Sequence, residues 1–338
     1  MEKIDIALAA DAGYFCGLFV TACSIAKYAS KDVVLRFNIL DGGIGDEDWA
    51  LLKSKVGEFH KEVEFRQLLV DDAMFADYPA WHGNKMAYAR LMLPEVLPEV
   101  DWCVYCDVDF LWMRDIAELW KERDDKYAFI GTKDGADWTL KREQVWFEKH
   151  GYPFDSEKYF CSGLCFFNLK AFREQGLVGK IAEILRLHSD IQYPDQAALN
   201  IVTFGRTKIV DKSWQQFHQG IVPAMVDEGV VIHYAGAIPW KPIKNGVGLL
   251  SDLMLLWHRM NAEARGITLW QSLRRYFGVG HILWHRGLRN ILYALNRIHC
   301  LGPLRWLLVK TGHKGVWEYW ERAMAKMRAC IHEGSCPA

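Results

Sequence analysis

Two carboxylates, Asp107 and Asp109, end an apolar run at residues 102–111 whose aromatic and β-branched composition is typical of a buried strand. At a spacing of two, side chains of an extended segment project from the same face, so the two charges lie together. Hard oxygen ligands suit Mg²⁺ or Mn²⁺, and open α/β sheets bind ligands at the carboxyl ends of their strands. The pattern predicts a divalent-cation site, with solvated loop acids as the alternative.

The elements that must position this pair alternate between strands and helices. The β-α-β-α-β order at residues 4–10, 14–29, 33–40, 46–59 and 63–69, with Asp46 as an N-cap, predicts a parallel sheet with crossover helices. We predict further strands at 127–132, 159–169 (an apolar run that Ser162-Gly163 interrupts), 208–211 and 230–234. We also predict helices at 82–93 (ending before Pro94), 115–120, 138–150, 172–188 (as one or two helices) and 196–204.

The composition fits one large α/β domain with an appendage. The chain has 338 residues and a net charge of −1, which argues against a nucleic-acid partner. Nine scattered cysteines, an odd number, indicate buried free thiols in a reducing compartment. The first residues lack the apolar core of a signal peptide, and no window approaches about 18 consecutive apolar residues. We therefore expect a cytoplasmic protein.

Beyond residue 250 the composition changes. Thirteen Lys and Arg but only three acidic residues lie between Arg259 and Arg328, and six Trp follow residue 250. Basic helices with an aromatic face are typical of interfacial membrane anchors. We therefore predict an α/β domain at 1–250 and a helical region at 251–338 that binds an anionic membrane surface. The alternative is a packed helical subdomain with a solvated basic face.

Four further motifs flank Asp107-Val108-Asp109 in an unbroken order. They are Ala9-Ala10-Asp11 with Tyr14, Tyr88-Ala89-Arg90-Leu91, Tyr193-Pro194-Asp195-Gln196, and His233-Tyr234-Ala235-Gly236 followed by Pro239-Trp240. Together they resemble the signatures of family 8 glycosyltransferases, above all bacterial lipopolysaccharide and lipooligosaccharide sugar transferases. The resemblance covers about residues 4 to 245 and implies a GT-A type, Rossmann-like nucleotide-sugar-binding catalytic domain with a mixed central sheet.

The resemblance also implies a role for each motif residue. Asp107 and Asp109, with His233 as the third ligand, would hold Mn²⁺ or Mg²⁺ on the diphosphate of a UDP-sugar. A lone histidine on a strand is otherwise more often a satisfied core residue. The other implied donor contacts are Ala9, Asp11, Tyr14, Arg90, Val108, Asp134, Cys161, Ser162, Asp195, Gly236 and Lys241, and His82 is implied near the acceptor.

Several of these residues have a structural alternative. These alternatives are a helix N-cap for Asp11 and Asp195, a core aromatic for Tyr14, a surface ion pair for Arg90, a loop imidazole for His82 and a turn carboxylate for Asp134.

Two positions depart from the family pattern. Cys161 stands where the family usually has an asparagine that helps to hold the donor sugar, which leaves the hexose open. Ile238 stands where the family usually has a phosphate-binding lysine, and we expect Lys241 rather than Lys244 to supply that charge.

Gln196 is implied to lie on the β-face of the sugar ring. Family 8 enzymes retain the anomeric configuration, but an amide is a poor nucleophile where a retaining hydrolase uses a carboxylate. We therefore expect front-face substitution, in which Asp195 binds sugar hydroxyls and Gln196 gives electrostatic support.

The predicted function is the transfer of galactose or glucose from a UDP-hexose to a glycolipid or lipopolysaccharide hydroxyl at the cytoplasmic face of the inner membrane. The alternatives are a transferase acting on a protein or soluble sugar, a nucleotide-sugar-binding protein with weak or no activity, and a nucleotidyltransferase.

Overall fold

The computed structural model describes residues 1–79, 85–135, 137–217, 226, 229–236, 238–241, 252–280 and 282–283. Contacts divide the chain into two compact units. The first comprises residues 1–236 and 260–267, and the second comprises residues 237–259 and those from 268 onward. The predicted domain boundary at residue 250 lies outside the described residues, so it stays a prediction.

A seven-stranded mixed sheet forms the centre of the first unit. The strands are β1 (Glu2–Ala10), β2 (Val33–Asp41), β3 (Val63–Leu69), β4 (Trp102–Cys106), β6 (Phe129–Lys133), β7 (Phe160–Asn168) and β8 (Thr207–Val210), in the spatial order β3-β2-β1-β4-β7-β6-β8. The first four run in parallel where they pair, whereas β7 is antiparallel to both of its neighbours. This arrangement confirms the mixed Rossmann-like sheet predicted from the sequence.

A second sheet has three short strands, β5 (Phe110–Trp112), β9 (Gln216–Phe217) and β10 (Val231–His233). The central strand, β10, runs antiparallel to β5, and this register places His233 opposite Phe110. Because β5 begins directly after Asp109, the small sheet brings a histidine from late in the first unit to the carboxylate pair.

Ten α-helices lie within the described residues. They are α1 (Phe15–Tyr28), α2 (Asp46–Phe59), α3 (Leu93–Val96), α4 (Ile116–Trp120), α5 (Asp137–His150), α6 (Leu169–Glu174), α7 (Leu177–Leu187), α8 (Pro194–Val202), α9 (Asp252–Arg265) and α10 (Leu269–Tyr276). The crossover helix α1 is buried from Gly17 to Ala26 and contacts β1, β5 and α2, as expected of a helix that is apolar on all sides.

One strand prediction is wrong in its boundaries. The apolar run at 102–111 is not one strand, because β4 ends at Cys106 and the chain leaves the central sheet through Asp107–Asp109 to enter β5. The strand predicted at 159–169 is present as β7, which continues through Ser162-Gly163 and is buried throughout. Its buried ladder with β4 overrides the weak strand propensity of serine and glycine.

The predicted helix end before Pro94 and the N-cap assignments of Asp46 and Asp195 are also wrong. Residues 86–92 form a 3₁₀ helix that leads into α3, which contains Pro94 at its start, where proline is tolerated. Asp46 lies in the first turn of α2, and Gly45 is the N-cap residue. Asp195 is not an N-cap either, because α8 begins at Pro194 with Tyr193 at the cap position.

Aromatic packing between β6 and β7 stiffens the sheet beside these positions. The ring centroids of Phe129 and Phe160 lie 4.0 Å apart in a stacked arrangement, and Phe167 meets Phe129 edge-on at 5.2 Å. Each such buried ring contributes about 1.5–3 kcal/mol by leaving water. Because β7 also pairs with β4 along Trp102–Cys106, this aromatic packing lies next to the strand that leads to the carboxylate pair.

In the second unit, α10 begins with a capping box between Thr268 and Gln271. His258, on α9, is fully buried, with Nε2 at 3.1 Å from the Pro239 carbonyl and Nδ1 at 3.2 Å from Ser272 Oγ. Across the described parts of the chain, no helix combines the length and apolarity needed to cross a bilayer. Six described cysteines are free thiols: Cys16, Cys23, Cys103, Cys106, Cys161 and Cys165.

Candidate active site

The three predicted metal ligands converge in the first unit. One donor atom from each of Asp107, Asp109 and His233 lies within 4.8 Å of the other two. Asp109 Oδ1 is 3.5 Å from His233 Nε2. Two carboxylates and an imidazole are a donor set that suits a divalent cation such as Mn²⁺. The structure therefore brings together the pair predicted from the sequence spacing and the histidine implied by the family resemblance.

Backbone and hydroxyl contacts fix the segment that carries the two carboxylates. The N–H of Asp107 donates to the carbonyl of Gly163 on β7 at 2.8 Å. On the other side, Thr21 Oγ1, from the buried helix α1, lies 3.0 Å from the Val108 carbonyl and 2.9 Å from the Phe110 carbonyl. Val108 thus has an observed structural contact in addition to its predicted role on the donor.

His233 is buried in an aromatic setting. Its ring stacks on Phe110 with centroids 4.2 Å apart, and Phe217 lies at 5.3 Å. Gln215 Oε1 accepts from the backbone N–H of Leu164 at 3.2 Å, so Gln215 Nε2 faces His233 Nδ1, also at 3.2 Å, and donates to it. The ring proton therefore resides on Nε2, which points toward Asp109.

Gly163 is required by the close approach of the histidine ring. A Cβ atom at this position would lie 2.6 Å from His233 Cε1 and 3.0 Å from Gln215 Nε2. Any larger residue on this part of β7 would displace the imidazole. The glycine therefore determines where the third candidate ligand lies.

Arg90 connects the two halves of the site. Its buried guanidinium donates to Asp107 Oδ1 at 2.8 Å and lies 3.3 Å from Asp195 Oδ2. It also donates to the Ser162 carbonyl and packs over the Tyr105 ring at 4.3 Å. The alternative of a surface ion pair is wrong, because Arg90 makes its ion pairs in the interior and places the carboxylate after β4 beside the first turn of α8.

The surroundings shift the pKa values of Asp107 and Asp109 in opposite directions. Burial raises the pKa of Asp107, as does the neighbouring Asp109 carboxylate, although Arg90 opposes the rise. Burial also acts on Asp109, but the His233 imidazole and its hydrogen bond outweigh it and lower the pKa. Such a separation between adjacent acids is characteristic of functional sites.

Asp195 and Gln196 lie against β7, and both are buried. Asp195 Oδ2 accepts a hydrogen bond from Ser162 Oγ at 3.0 Å. Gln196 Oε1 accepts from the Ser162 N–H at 3.0 Å, while Gln196 Nε2 donates to Asp134 Oδ2 at 3.1 Å and to the Tyr159 hydroxyl at 3.3 Å. Residues predicted from separate motifs thus form one hydrogen-bonded group.

Asp11 marks the other end of the site, after β1. The pairing of Leu8 with Cys106 places the carboxyl ends of β1 and β4 side by side. Asp11 Oδ1 accepts from the backbone N–H of Tyr14 at 3.0 Å and so caps the turn before α1. Ala9 and Tyr14 are partly exposed at the same end of the strand. The alternative role of Asp11 as a cap is therefore observed, and its carboxylate lies beside the site.

The remaining predicted site residues differ in how far the structure describes them. Cys161 is buried in β7, next to Ser162. Gly236 lies in a turn beyond β10 with φ of +74°, a conformation that favours glycine. Lys241 belongs to the second unit, so its contact with the donor phosphate stays a prediction. His82 lies outside the described residues.

Sequence reasoning missed several supporting residues. Each lacks a local signature, because it acts only through a partner that is distant in sequence. Tyr105 did carry a signal, because residues two apart in an extended segment lie on the same face, which places Tyr105 beside Asp107. The Tyr105 hydroxyl donates to the Asp107 carboxylate at 2.9 Å. The others are Thr21, Glu143, Tyr159 and Gln215.

Comparisons with known proteins agree with this geometry. A sequence model described as Glycosyl transferase family 8 matches residues 5–244. The chain is 26% identical to General stress protein A of Bacillus subtilis over 227 residues (64% of this chain, 72% of that protein). It is 23% identical to the lipopolysaccharide glucosyltransferase WaaO of Escherichia coli over 252 residues (71% and 72%).

Solved structures show the same architecture. The galactosyltransferase LgtC, in complex with donor and acceptor sugar analogues, superposes with a TM-score of 0.62 at 25% identity, covering 78% of this chain and 96% of LgtC. The bifunctional glycosyltransferase WbbM gives a TM-score of 0.67 at 18% identity, covering 82% of this chain but 52% of that longer one. The mixed sheet and the carboxylate cluster therefore define a GT-A type glycosyltransferase. The family match covers more than half of the chain, so the protein belongs to glycosyltransferase family 8.

Proposed function

We propose that this glycosyltransferase transfers a hexose, galactose or glucose, from a UDP-sugar to a hydroxyl of a lipopolysaccharide or related cell-surface glycolipid, with retention of configuration. The observation that carries the proposal is the contact of Arg90 with both Asp107 and Asp195. This contact supports a cation site for a diphosphate directly beside a site for sugar hydroxyls. The names of the relatives WaaO and LgtC support the acceptor class and the hexose.

In this proposal the donor lies across the carboxyl ends of β1, β4 and β7. Asp11 accepts a hydrogen bond from the uracil N–H, and Tyr14 stacks on the base. Asp134 and Asp195 bind hydroxyls of the sugar. Because Cys161 replaces the usual asparagine, the sugar has one polar contact fewer than in the family pattern. Recognition of its hydroxyls therefore depends more strongly on Asp134 and Asp195.

Asp107, Asp109 and His233 would hold Mn²⁺ or Mg²⁺, and the cation would offset the negative charge that develops on the departing diphosphate. Their converging, partly buried oxygen and nitrogen atoms fit such an ion. Because Gln215 donates to His233 Nδ1, ligation through Nε2 requires the ring proton to move to Nδ1 and the Gln215 amide to turn.

The proposed reaction occurs on one face of the sugar. The bond between the anomeric carbon and the phosphate oxygen breaks as the acceptor oxygen bonds to the same carbon. The hydroxyl proton passes to the leaving diphosphate oxygen. The Gln196 amide, held by three hydrogen bonds, supports the positive charge that develops on the ring.

The acceptor places the protein at a membrane surface in this proposal, on the cytoplasmic face of the inner membrane. Within the described residues, α10 has exposed Arg274 and Arg275 near an exposed Trp270, and it buries Ser272 and Leu273. A cationic face with an accessible tryptophan favours anionic lipid. The predicted attachment through the basic region at 251–338 follows the same reasoning.

The experiment that tests the reaction is UDP release from a panel of UDP-sugars, with Mn²⁺ and with a chelator. We expect slow, chelator-sensitive hydrolysis of one UDP-hexose, and faster release with a lipooligosaccharide acceptor that yields an α-linked product. Asp109→Asn should reduce the rate at least 100-fold, whereas Asp46→Asn, at an exposed carboxylate of α2, should not change it.

Other results would identify another function. Tight UDP binding without turnover, with or without acceptor, would indicate a nucleotide-sugar-binding protein. Turnover restricted to soluble sugars or to proteins would exclude the glycolipid acceptor.

Membrane attachment needs its own test in the full chain. Residues 260–265 of α9 belong to the first unit, where Glu263 pairs with Lys27 and Arg265 contacts Phe19, whereas residues 252–259 belong to the second. Truncation at residue 250 would therefore damage both units. Arg274→Glu with Arg275→Glu should instead weaken sedimentation with anionic vesicles. The same reversal at exposed Lys170 and Lys180 should not. Equal binding by both double variants would refute attachment through α10.

A further inference from the structure

A second cluster of metal-ligand side chains lies in the first unit, formed by His150, His188 and Asp190. His150 is the last residue of α5, His188 directly follows α7, and Asp190 belongs to the segment that leads into α8. One donor atom from each lies within 4.8 Å of the other two. None of the three is part of the site described above.

Hydrogen bonds orient both imidazole rings. His150 Nδ1 lies 2.9 Å from the Trp146 carbonyl, so this nitrogen carries the proton and Nε2 keeps its lone pair. Nε2 in turn lies 3.6 Å from Asp190 Oδ2. His188 Nε2 lies 2.9 Å from the Tyr152 hydroxyl, and in the tautomer in which Nε2 donates to that oxygen the lone pair is on Nδ1. Metal-bound histidines characteristically have such a second hydrogen bond.

The two histidines share an aromatic setting. Their rings meet edge-to-face with centroids 4.7 Å apart, and Trp146 lies 4.3 Å from one ring and 5.1 Å from the other. A metal ion binds the neutral form of each ring, in which one nitrogen keeps its lone pair.

Lys149 forms an ion pair with the carboxylate of Asp190 in the structure. Lys149 Nζ lies 2.9 Å from Asp190 Oδ2, and both side chains are largely exposed. Exposed ion pairs of this kind are weak because water screens them. A divalent cation held by two imidazoles can therefore displace the ammonium group from Asp190.

We propose that His150, His188 and Asp190 bind a late first-row divalent cation, with Zn²⁺ as the best fit. Two imidazoles and one carboxylate are a common zinc donor set, whereas Mg²⁺ prefers oxygen ligands. Ligand atoms about 2.0–2.1 Å from a tetrahedral zinc lie roughly 3.4 Å apart. The 3.6 Å between His150 Nε2 and Asp190 Oδ2 is close to this separation.

The bound cation joins three elements. It connects the ends of α5 and α7 to the segment before α8, the helix that carries Asp195 and Gln196. A ligand that binds only the native state stabilises it by mass action. This structural role does not depend on the proposed sugar transfer.

The test is calorimetric titration of Zn²⁺ into the full chain carrying Asp107→Asn and Asp109→Asn, which remove the other candidate site. We expect one bound equivalent in this background. His150→Ala or His188→Ala should weaken binding at least tenfold. Lys149→Met should strengthen it about tenfold, because it removes a competing cation, while Lys180→Met on the exposed face of α7 should have no effect.

Three results would overturn the proposal. They are no Zn²⁺ binding in the doubly substituted background, binding that survives both histidine substitutions, or an affinity that does not respond to Lys149→Met. Circular dichroism establishes that each variant is folded. If a histidine variant fails to fold, Lys149→Met and Asp190→Asn, both at exposed positions, decide the matter with opposite expected effects on affinity.

Discussion

The carboxamide of Gln196 is connected to the buried carboxyl group of Glu143 through a single hydroxyl. Tyr159 donates to Glu143 Oε2 at 2.8 Å and accepts from Gln196 Nε2 at 3.3 Å. Burial raises the pKa of Glu143 from 4.5 to about 7, although the Tyr159 hydroxyl opposes the rise. The amide proposed to face the sugar is thus oriented by a group that titrates near neutral pH.

Substitution Glu143→Gln should remove a pH-dependent loss of stability. The folded-state pKa lies above the unfolded value, so stability is present below pH 4.5 and is lost as the pH rises toward 7. The carboxamide introduced by the substitution accepts the Tyr159 hydroxyl without this cost. The gain in the free energy of unfolding, measured by urea denaturation, should be larger at pH 8 than at pH 5 by about 2–3 kcal/mol.

Glu183→Gln is the matched control, because this glutamate is exposed on α7. Its effect on the free energy of unfolding should be small and independent of pH. A Glu143→Gln gain that is equal at pH 5 and pH 8 would contradict the raised pKa.

Arg90→Met should reduce both stability and nucleotide binding. It leaves the buried carboxylate of Asp195 and the partly buried carboxylate of Asp107 without their cation, which costs on the order of 3–5 kcal/mol of stability. The same uncompensated charge repels a diphosphate. Calorimetry should therefore show at least a tenfold loss of UDP affinity in the presence of Mn²⁺.

Arg36 provides the control for this prediction, because it makes a paired contact with Asp5 away from the site, with Nε 2.5 Å from Oδ1. Arg36→Met should also destabilise the protein but leave UDP affinity unchanged. Similar losses of affinity in both variants would show that Arg90 acts only through stability.

Gly163→Ala should disturb the histidine ligand without changing any charge. The added methyl group lies 2.6 Å from His233 Cε1, so the imidazole must move. We expect Mn²⁺ affinity, followed by electron paramagnetic resonance, to fall at least tenfold. Gly179→Ala, in open space on α7, should leave it unchanged. Undiminished Mn²⁺ binding by the Gly163→Ala variant would remove His233 from the ligand set.

Gln215→Glu should strengthen Mn²⁺ binding. A carboxylate at this position accepts the proton of His233 Nδ1 and leaves the lone pair of Nε2 for the cation. The introduced carboxylate still accepts the hydrogen bond from the Leu164 N–H that Gln215 Oε1 accepts in the structure. We expect about a tenfold lower dissociation constant. An unchanged or weaker affinity would show that the ring does not ligate through Nε2.

The regular elements could be predicted from the sequence because their patterns are local. The observed α2 and β3 have the predicted bounds, 46–59 and 63–69. By contrast, nothing local signals that the chain changes sheets between Cys106 and Phe110. That change depends on β10, whose pairing with β5 involves residues far along the chain.

The site was predictable only where its residues belong to motifs. Asp107, Asp109 and His233 come together as the family resemblance implies. Gln215 and Glu143 could not be predicted, since a polar residue that contacts a distant side chain resembles any other surface residue in sequence. For Arg90, the motif predicted a functional role, but its contacts with two carboxylates could be seen only in the fold.

The position of β10 in the chain has a consequence for biosynthesis. A growing polypeptide makes Asp107 and Asp109 well before His233, and the segment at 260–267 completes the first unit later still. Until β10 pairs with β5, the two acids lack their imidazole neighbour. The complete cluster therefore forms only when nearly the whole unit has left the ribosome, so a truncated or stalled chain presents two carboxylates but not the finished centre.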